Sequence, residues 1–230
     1  MATVLITGAN RGIGLEFVKQ FLARGDRVLA TCRNIESAGE LEQLSNSRAE
    51  LKILELDVSR IESMENLPRQ LDGEAIDIFV NNAGVYGPKA LQFGNIEGKP
   101  WLEVLQINAV APLLLTQLLM ENLRKGSDKK LIYVSSKMGS IDDNAGGGSY
   151  IYRSSKTALN AVVKSLAIDL AEDGFSAIVV HPGWVLTDMG GPNALLDTHT
   201  SVSGMLGVID SLTMAGSGSF FNYDGSPIAW

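Results

Sequence analysis

The chain is poor in cysteine and histidine: one Cys, Cys32, and two His, His181 and His199, in 230 residues. A single thiol excludes an internal disulfide framework, and with two imidazoles it cannot supply the usual four-ligand structural zinc site. Basic residues are also short, 19 Lys and Arg against 26 Asp and Glu, for a net charge of −7. Such a balance repels phosphate backbones, so nucleic acid is not an expected partner. Long apolar runs are missing as well. The most apolar segment, Trp101 to Met120, is interrupted by Glu103, Gln106, Asn108, Pro112 and Gln117, so no membrane span is expected. The start, MATVLITGAN, has no basic region or cleavage site and runs straight into glycines. With the single thiol, that points to a cytoplasmic protein. No low-complexity tract or charge block suggests disorder.

What is present is an alternation of strand and helix patterns. Continuous apolar runs stand at 3–7, 27–32, 51–56, 76–80, 131–136 and 176–181, with a final strand-like stretch at 219–225. Runs without polar alternation belong to strands buried on both faces, as in parallel sheets. Helical patterns lie between them near 12–24, 36–45, 60–70, 100–124, 150–173 and 202–213. The rhythm predicts an α/β fold: a single-domain doubly wound (Rossmann) parallel sheet of about seven strands with helices on both faces. The least regular stretch, Gly190 to Thr200, falls after the sixth strand, where such folds place their ligands. It reads as a substrate flap over about 185–200 or as a plain surface connection.

The segment TGANRGIG carries Gly8, Gly12 and Gly14 between the first strand and first helix. Glycines there allow a tight turn and close approach of a pyrophosphate, whose charge is met by free N–H groups and the helix dipole. The spacing is not G-x-G-x-x-G, and a glycine turn alone can be only a turn. At the end of the second strand, where NAD sites carry an acid for the ribose hydroxyls, stand Thr31, Cys32 and Arg33. Arg33, with Arg11 in the glycine loop, suits a 2′-phosphate, so NADP(H) is favoured over NAD(H). Asp57, ending the third strand, either meets the adenine amino group or caps the next helix. In NNAG, Asn81 to Gly84, an asparagine can stitch neighbouring strands while Ala83 and Gly84 leave room for a cofactor.

The segment SYIYRSSK, Ser149 to Lys156, contains two tyrosines. Tyr152 and Lys156 are four apart and share a helix face, whereas Tyr150 and Lys156 do not. A phenol titrating near pH 10 needs a neighbouring cation to act near neutrality, and a charge about 4 Å away supplies at most about 3 pK units. Alone, Tyr-x-x-x-Lys is a weak signal. In order, TGANRGIG, NNAG, Asn108, VSS, YRSSK and HPGWVLTDM resemble the short-chain dehydrogenase/reductase family over essentially the whole chain. The stretches DDNAGGGSYIYRSSKTALNA and FFNYDGSPIAW resemble its branch of C-factor and Sniffer-like carbonyl reductases.

That resemblance implies a catalytic set of Asn108, Ser136, Tyr152 and Lys156. Tyr152 would be the general acid/base, with Lys156 lowering its pKa and holding the nicotinamide ribose. Ser136 would bond the substrate carbonyl, and Asn108 would anchor a water linking Lys156 to solvent. Thr187 would hold the carboxamide. The remaining cofactor contacts would come from Gly8, Asn10, Arg11, Gly12, Ile13, Gly14, Arg33, Asp57, Val58, Asn82, Ala83, Gly84, Pro182, Gly183 and Val185. One departure stands out: Ser136 precedes Tyr152 by sixteen residues, a few more than the family's usual spacing. Ser135, on the opposite strand face, and Ser140, beyond the strand end, compete for its role. Tyr86, Met138, Tyr150 and Trp184 are candidate walls for an apolar carbonyl substrate.

Other chemistries fail on residues. GGSYI around Ser149 lacks the second glycine of a nucleophile elbow, and GNIEGKP lacks the spacing and Ser/Thr of a P-loop. Apolar residues nearly all round helices 100–124 and 150–173 imply a homodimer or homotetramer. The expected activity is NADPH-dependent reduction of a small-molecule carbonyl, the reverse oxidising an alcohol. The alternative is a signalling protein that keeps the fold and acts by binding partners.

Overall fold

The apolar runs form seven strands: β1 Thr3–Ile6, β2 Arg27–Cys32, β3 Leu51–Glu55, β4 Ile78–Asn81, β5 Lys130–Val134, β6 Ser176–His181 and β7 Phe220–Asn222. The computed structural model describes residues 1–36 and 38–230. All neighbouring strands are parallel, in the order β3-β2-β1-β4-β5-β6-β7. The order reverses between β1 and β4, so a crevice opens beyond their C-terminal ends.

Side-chain alternation sends Val4, Ile6, Val28 and Ala30 to one face of the sheet, and Leu5, Leu29, Phe79 and Tyr133 to the other. The first face is covered by α1 Gly12–Ala23, α2 Glu40–Ser47 and α8 Thr198–Ser211, through Phe17, Phe21, Leu41, Val202 and Met205. The second is covered by α3 Ile61–Leu71, α5 Ala111–Leu118, α6 Met120–Lys125 and α7 Tyr150–Asp169, through Met64, Leu115, Leu123, Leu159 and Val163. Each fully buried Leu or Phe contributes roughly 1.5–3 kcal/mol. Burial on both faces explains why the strands read as continuous apolar runs.

Several boundaries differ from the sequence pattern. The expected helix over 36–45 begins at Glu40, and its Ser37 lies outside the described residues. Helix 100–124 is segmented: α4 Gly98–Leu105 passes through a π-helical turn, Gln106–Val110, into α5, and α6 starts after Leu119. Among the described residues, Gly98–Leu118 is the one helix long and apolar enough to cross a membrane by length and composition. Ala111 and Leu115 are fully buried in the core between this helix and the sheet, so it serves as a core helix. The last helix starts four residues early because the Asp197 carboxylate accepts the Thr200 N–H at 2.6 Å, an N-cap that satisfies a free helical donor.

Candidate active site

Every candidate cofactor segment lies at the C-terminal edge of the sheet. Gly8 to Gly14 follows β1, Arg33 follows β2, Asp57 and Val58 follow β3, Asn82 to Gly84 follows β4, and Pro182 to Thr187 follows β6. The β1 turn is held by Thr7, which sequence reasoning left as a strand end. Its hydroxyl donates to Asn81 Oδ1 at 3.1 Å and accepts the N–H groups of Asn82 and Ala83 at 3.0 Å each. The Asn82 amide returns hydrogen bonds to the Thr7 and Gly8 carbonyls at 2.9 and 3.1 Å. Strands β1 and β4 are thus stitched together, as read for NNAG. Gly14 packs so tightly there that a Cβ would sit 2.1 Å from the Gly8 carbonyl oxygen.

Beyond β2 and β3 stand Arg33 and Asp57. Arg33 forms no ion pair among the described residues. The Asp57 carboxyl is held below its ordinary value: partial burial opposes this, but hydrogen bonds from Ser59 outweigh it, with Arg33 and Arg60 adding. Those bonds make a local turn, Asp57 Oδ1 accepting from the Ser59 amide and hydroxyl at 3.0 and 2.7 Å. Arg11 pairs with Asp188 at 2.7 Å on an exposed surface. An exposed pair contributes at most about 1 kcal/mol, so a doubly charged phosphate can displace it. Asn10 and Ile13 belong to the same loop, Ile13 half-buried against the core. The side chain of Val185 is buried and Thr187 lies over Gly12, its methyl 3.3 Å from where a Gly12 Cβ would stand.

The catalytic candidates converge from three elements. Ser136 ends the strand β5 run and leads a short 3-10 turn, Lys137–Gly139, whose Met138 N–H it caps at 3.2 Å. Gly139 lets that turn rest on α7, since a Cβ would come within 2.9 Å of Lys156 backbone. The Gly139 carbonyl accepts from Thr157 and Asn160 at 2.9 and 3.2 Å. Ser136 is therefore fixed against α7 whatever the length of the loop that follows. The three serines separate. Ser135 donates to Asn160 at 2.7 Å, Ser140 donates to the Trp230 carbonyl at 3.4 Å, and Ser136 faces Tyr152.

Tyr152 and Lys156 are both buried. Burial pushes the Tyr152 phenol up to about 12, against the opposing hydrogen bond with Ser136. Burial pulls the Lys156 ammonium down to about 8. Its Nζ donates to the Val134 carbonyl at 3.0 Å and stands 5.9 Å from the Tyr152 ring centroid. The Lys156 ammonium is turned to the Val134 carbonyl, and burial is the largest influence on the Tyr152 phenol. Asn108 sits in the π-helical turn, its amide bonded to the Val85 N–H and C=O at 2.9 and 2.7 Å and to Ser155 at 3.0 Å. Asn108 Oδ1 and Lys156 Nζ both lie beside Gly84.

In front of Tyr152 opens a cavity of about 530 Å³, walled by Tyr86, Phe93, Tyr150 and Ile151 with Lys89 and Gln92. Tyr86 stacks on Tyr152 with ring centroids 4.5 Å apart and bonds the Ser149 hydroxyl at 2.9 Å. Ser149 holds a left-handed backbone at φ 47° and launches α7. Of the four candidate walls, Tyr86 and Tyr150 line this cavity. Met138 and Trp184 do not; the Trp184 indole donates to the Gly190 carbonyl at 2.8 Å. Met189, Phe93 and Lys89 were missed, because nothing in their local sequence ties those loops to α7. The Met189 sulfur lies 4.0 Å from the Tyr152 hydroxyl. A larger polar groove, about 770 Å³ beside α3, includes none of these residues. His181 is pulled down to about 4 by burial and is neutral near pH 7, consistent with a structural part.

A doubly wound sheet, a glycine turn at its switch point and a buried Tyr–Lys pair on the adjoining helix define an oxidoreductase of the Rossmann class. The chain belongs to the short chain dehydrogenase family, whose model matches residues 2–195. It is 44% identical over 155 residues to C-signal of Myxococcus xanthus, covering 67% of this chain and 93% of that protein. Carbonyl reductase Sniffer of D. melanogaster superposes with a TM-score of 0.94 at 37% identity, covering both chains completely. An NADPH-bound carbonyl reductase from chicken fatty liver superposes at 0.93 and 35% identity, over 100% of this chain and 99% of that one.

Proposed function

We propose that this chain is an NADPH-dependent reductase of carbonyl compounds (ketone, aldehyde or quinone), with Tyr152 as proton donor. The observation that carries the reading is the buried Tyr152 phenol, facing Ser136 and one helical turn from Lys156, at the floor of the cavity. The residues fit a dinucleotide: the closely packed Gly14, the stitched β1–β4 turn and the missing acid after β2 suit a pyrophosphate and a 2′-phosphate. Arg33 and Arg11 would hold the phosphate. The NADPH named with the chicken carbonyl reductase supports the same preference.

When bound, the nicotinamide supplies hydride to the carbonyl carbon. Ser136 orients the carbonyl oxygen through its hydroxyl, and Tyr152 gives its proton to that oxygen as charge builds. A phenol pushed up to about 12 is fully protonated near pH 7, so the acid form stands ready. Lys156, still mostly charged at pH 7 with its pKa near 8, then stabilises the phenolate. Asn108 acts by position, holding the Val85 turn against Lys156. The segment from Trp184 to Asp197, closed at its base by a Val185–Leu196 bridge, covers the substrate and brings Met189 to the phenol. The exposed apolar residues Leu102, Val110, Leu113 and Ile168 support a homodimer or homotetramer.

The test is NADPH oxidation over a panel of quinones, aldehydes and ketones, with NADH beside it. Tyr152→Phe is expected to lose about 10²- to 10⁴-fold in kcat while still binding NADPH. Retained turnover in that variant refutes the mechanism, and equal rates with NADH refute the cofactor preference.

A further inference from the structure

We infer that the cavity selects carbonyl compounds with an apolar or aromatic body and an anionic group, and that Lys89 receives the anion; this rests on the reductase reading. The walls set the aromatic and aliphatic side chains of Tyr86, Leu91, Phe93, Tyr150 and Ile151 beside the polar ones of Gln92 and Ser149. Their hydroxyl capacity is partly spent internally, since Tyr86 and Ser149 bond each other at 2.9 Å. A flat apolar body can lie between the rings.

Charge sets the second requirement. In a chain of net charge −7, this cavity carries no carboxylate, and Lys89 is its one fixed cation. Asp143, on the loop before Tyr150, is paired with Lys137 at 3.0 Å. Among the described residues Lys89 forms no ion pair. Its ammonium instead stands 5.8 Å from the Tyr86 ring centroid, and that ring lies 4.5 Å from the Tyr152 ring. Those two steps bound the distance from the ammonium to the Tyr152 ring, and the phenol oxygen lies one ring radius and a C–O bond from its centre, a span that one substituted benzene ring with a hydrogen bond at each end can bridge. Lys89 is exposed at the cavity rim and, among the described residues, carries no paired acid, so its ammonium is free to meet a carboxylate or phosphate there with a charge-assisted bond.

A matched pair of substrates tests this: 4-carboxybenzaldehyde, anionic at pH 7, and its methyl ester, neutral and of similar shape. The wild-type protein is expected to favour the acid in kcat/KM. Lys89→Ala is expected to lower the acid-to-ester ratio about 2- to 5-fold, mainly through KM for the acid. Lys89→Glu reverses the preference, and Lys89→Arg keeps it. Binding of the product 4-(hydroxymethyl)benzoate, followed by calorimetry, weakens in the same order. Ester turnover with a ratio unmoved by Lys89→Ala and Lys89→Glu overturns the inference while leaving the reductase reading intact. Absence of turnover with both aldehydes, and with the wider panel, overturns the reductase reading and this inference with it.

Discussion

At the scale of single residues, Lys156 and Tyr152 tie the site to stability with opposite signs. The folded pKa of Lys156, about 8, lies below its ordinary 10.5. Between those values the unfolded chain takes up the proton first, so stability falls as pH drops from 10.5 to 8 and recovers as pH rises. The amount is up to about 3 kcal/mol. Tyr152, with a folded pKa of about 12 against 10.0, holds its proton longer when folded, so stability falls as pH rises above 10. Urea unfolding of the cofactor-free protein checks the lysine. The stability difference between Lys156→Met and wild type should shrink as pH is raised from 8 to 10.5, and a pH-independent difference contradicts the buried ammonium. Tyr150 gives the contrast: it is 41% exposed on the cavity rim, so Tyr150→Phe should keep most turnover and shift substrate preference, read from kcat/KM across the panel.

At the scale of elements, the decisive contact is the crossing of α1 over the β1 turn. Gly14→Ala would put a Cβ 2.1 Å from the Gly8 carbonyl and 2.6 Å from Asn82 Nδ2, the atom that stitches β1 to β4. Backbone cannot yield there as a flexible side chain would, so a loss of about 3 kcal/mol or more is expected. NADPH binding, followed by its fluorescence, should fall with it; native affinity in a stable Gly14→Ala protein contradicts the tight turn. The same scale divides what the sequence disclosed from what it withheld. Strands were legible because double-sided burial leaves continuous apolar runs, and Tyr152 with Lys156 because helical spacing alone aligns them. Strand alternation already set Ser136 apart from Ser135, and position set it apart from Ser140, but its anchorage on α7 through Gly139 is a tertiary fact. Likewise the break in helix 100–124 left no mark in an apolar pattern that runs through it, and Met189 and Lys89 reach the site on loops whose paths no periodicity encodes.

At the scale of the whole molecule, the surplus apolar surface remains to be covered. Leu102, Val110 and Leu113 are exposed along the helix Gly98–Leu118, at 68%, 43% and 38%, and Ile168 on α7 is 66% exposed. Leu102 and Leu113 are about three turns apart, and Val110 precedes Leu113 by three residues, so all three point to similar sides. Helices α4 and α7 pack beside each other, joined by the Trp101 indole donating to Ser154 at 2.9 Å. A two-fold axis along the outer sides of these helices would bury such apolar residues against their own copies. Asn108 stands between Leu102 and Val110 on the same helix, and Tyr152 and Lys156 belong to the helix that carries Ile168, so an interface there would also brace the catalytic candidates. Sedimentation of the wild-type protein should give a species of twice the 24.6 kDa chain or a multiple of it. Leu113→Glu sets two carboxylates face to face across the axis and should yield a monomer. Its unfolding temperature should become independent of protein concentration, whereas that of the wild type rises with it. A wild-type protein that sediments as a monomer at micromolar concentration removes the interface, and these residues would then be ordinary exposed apolar surface.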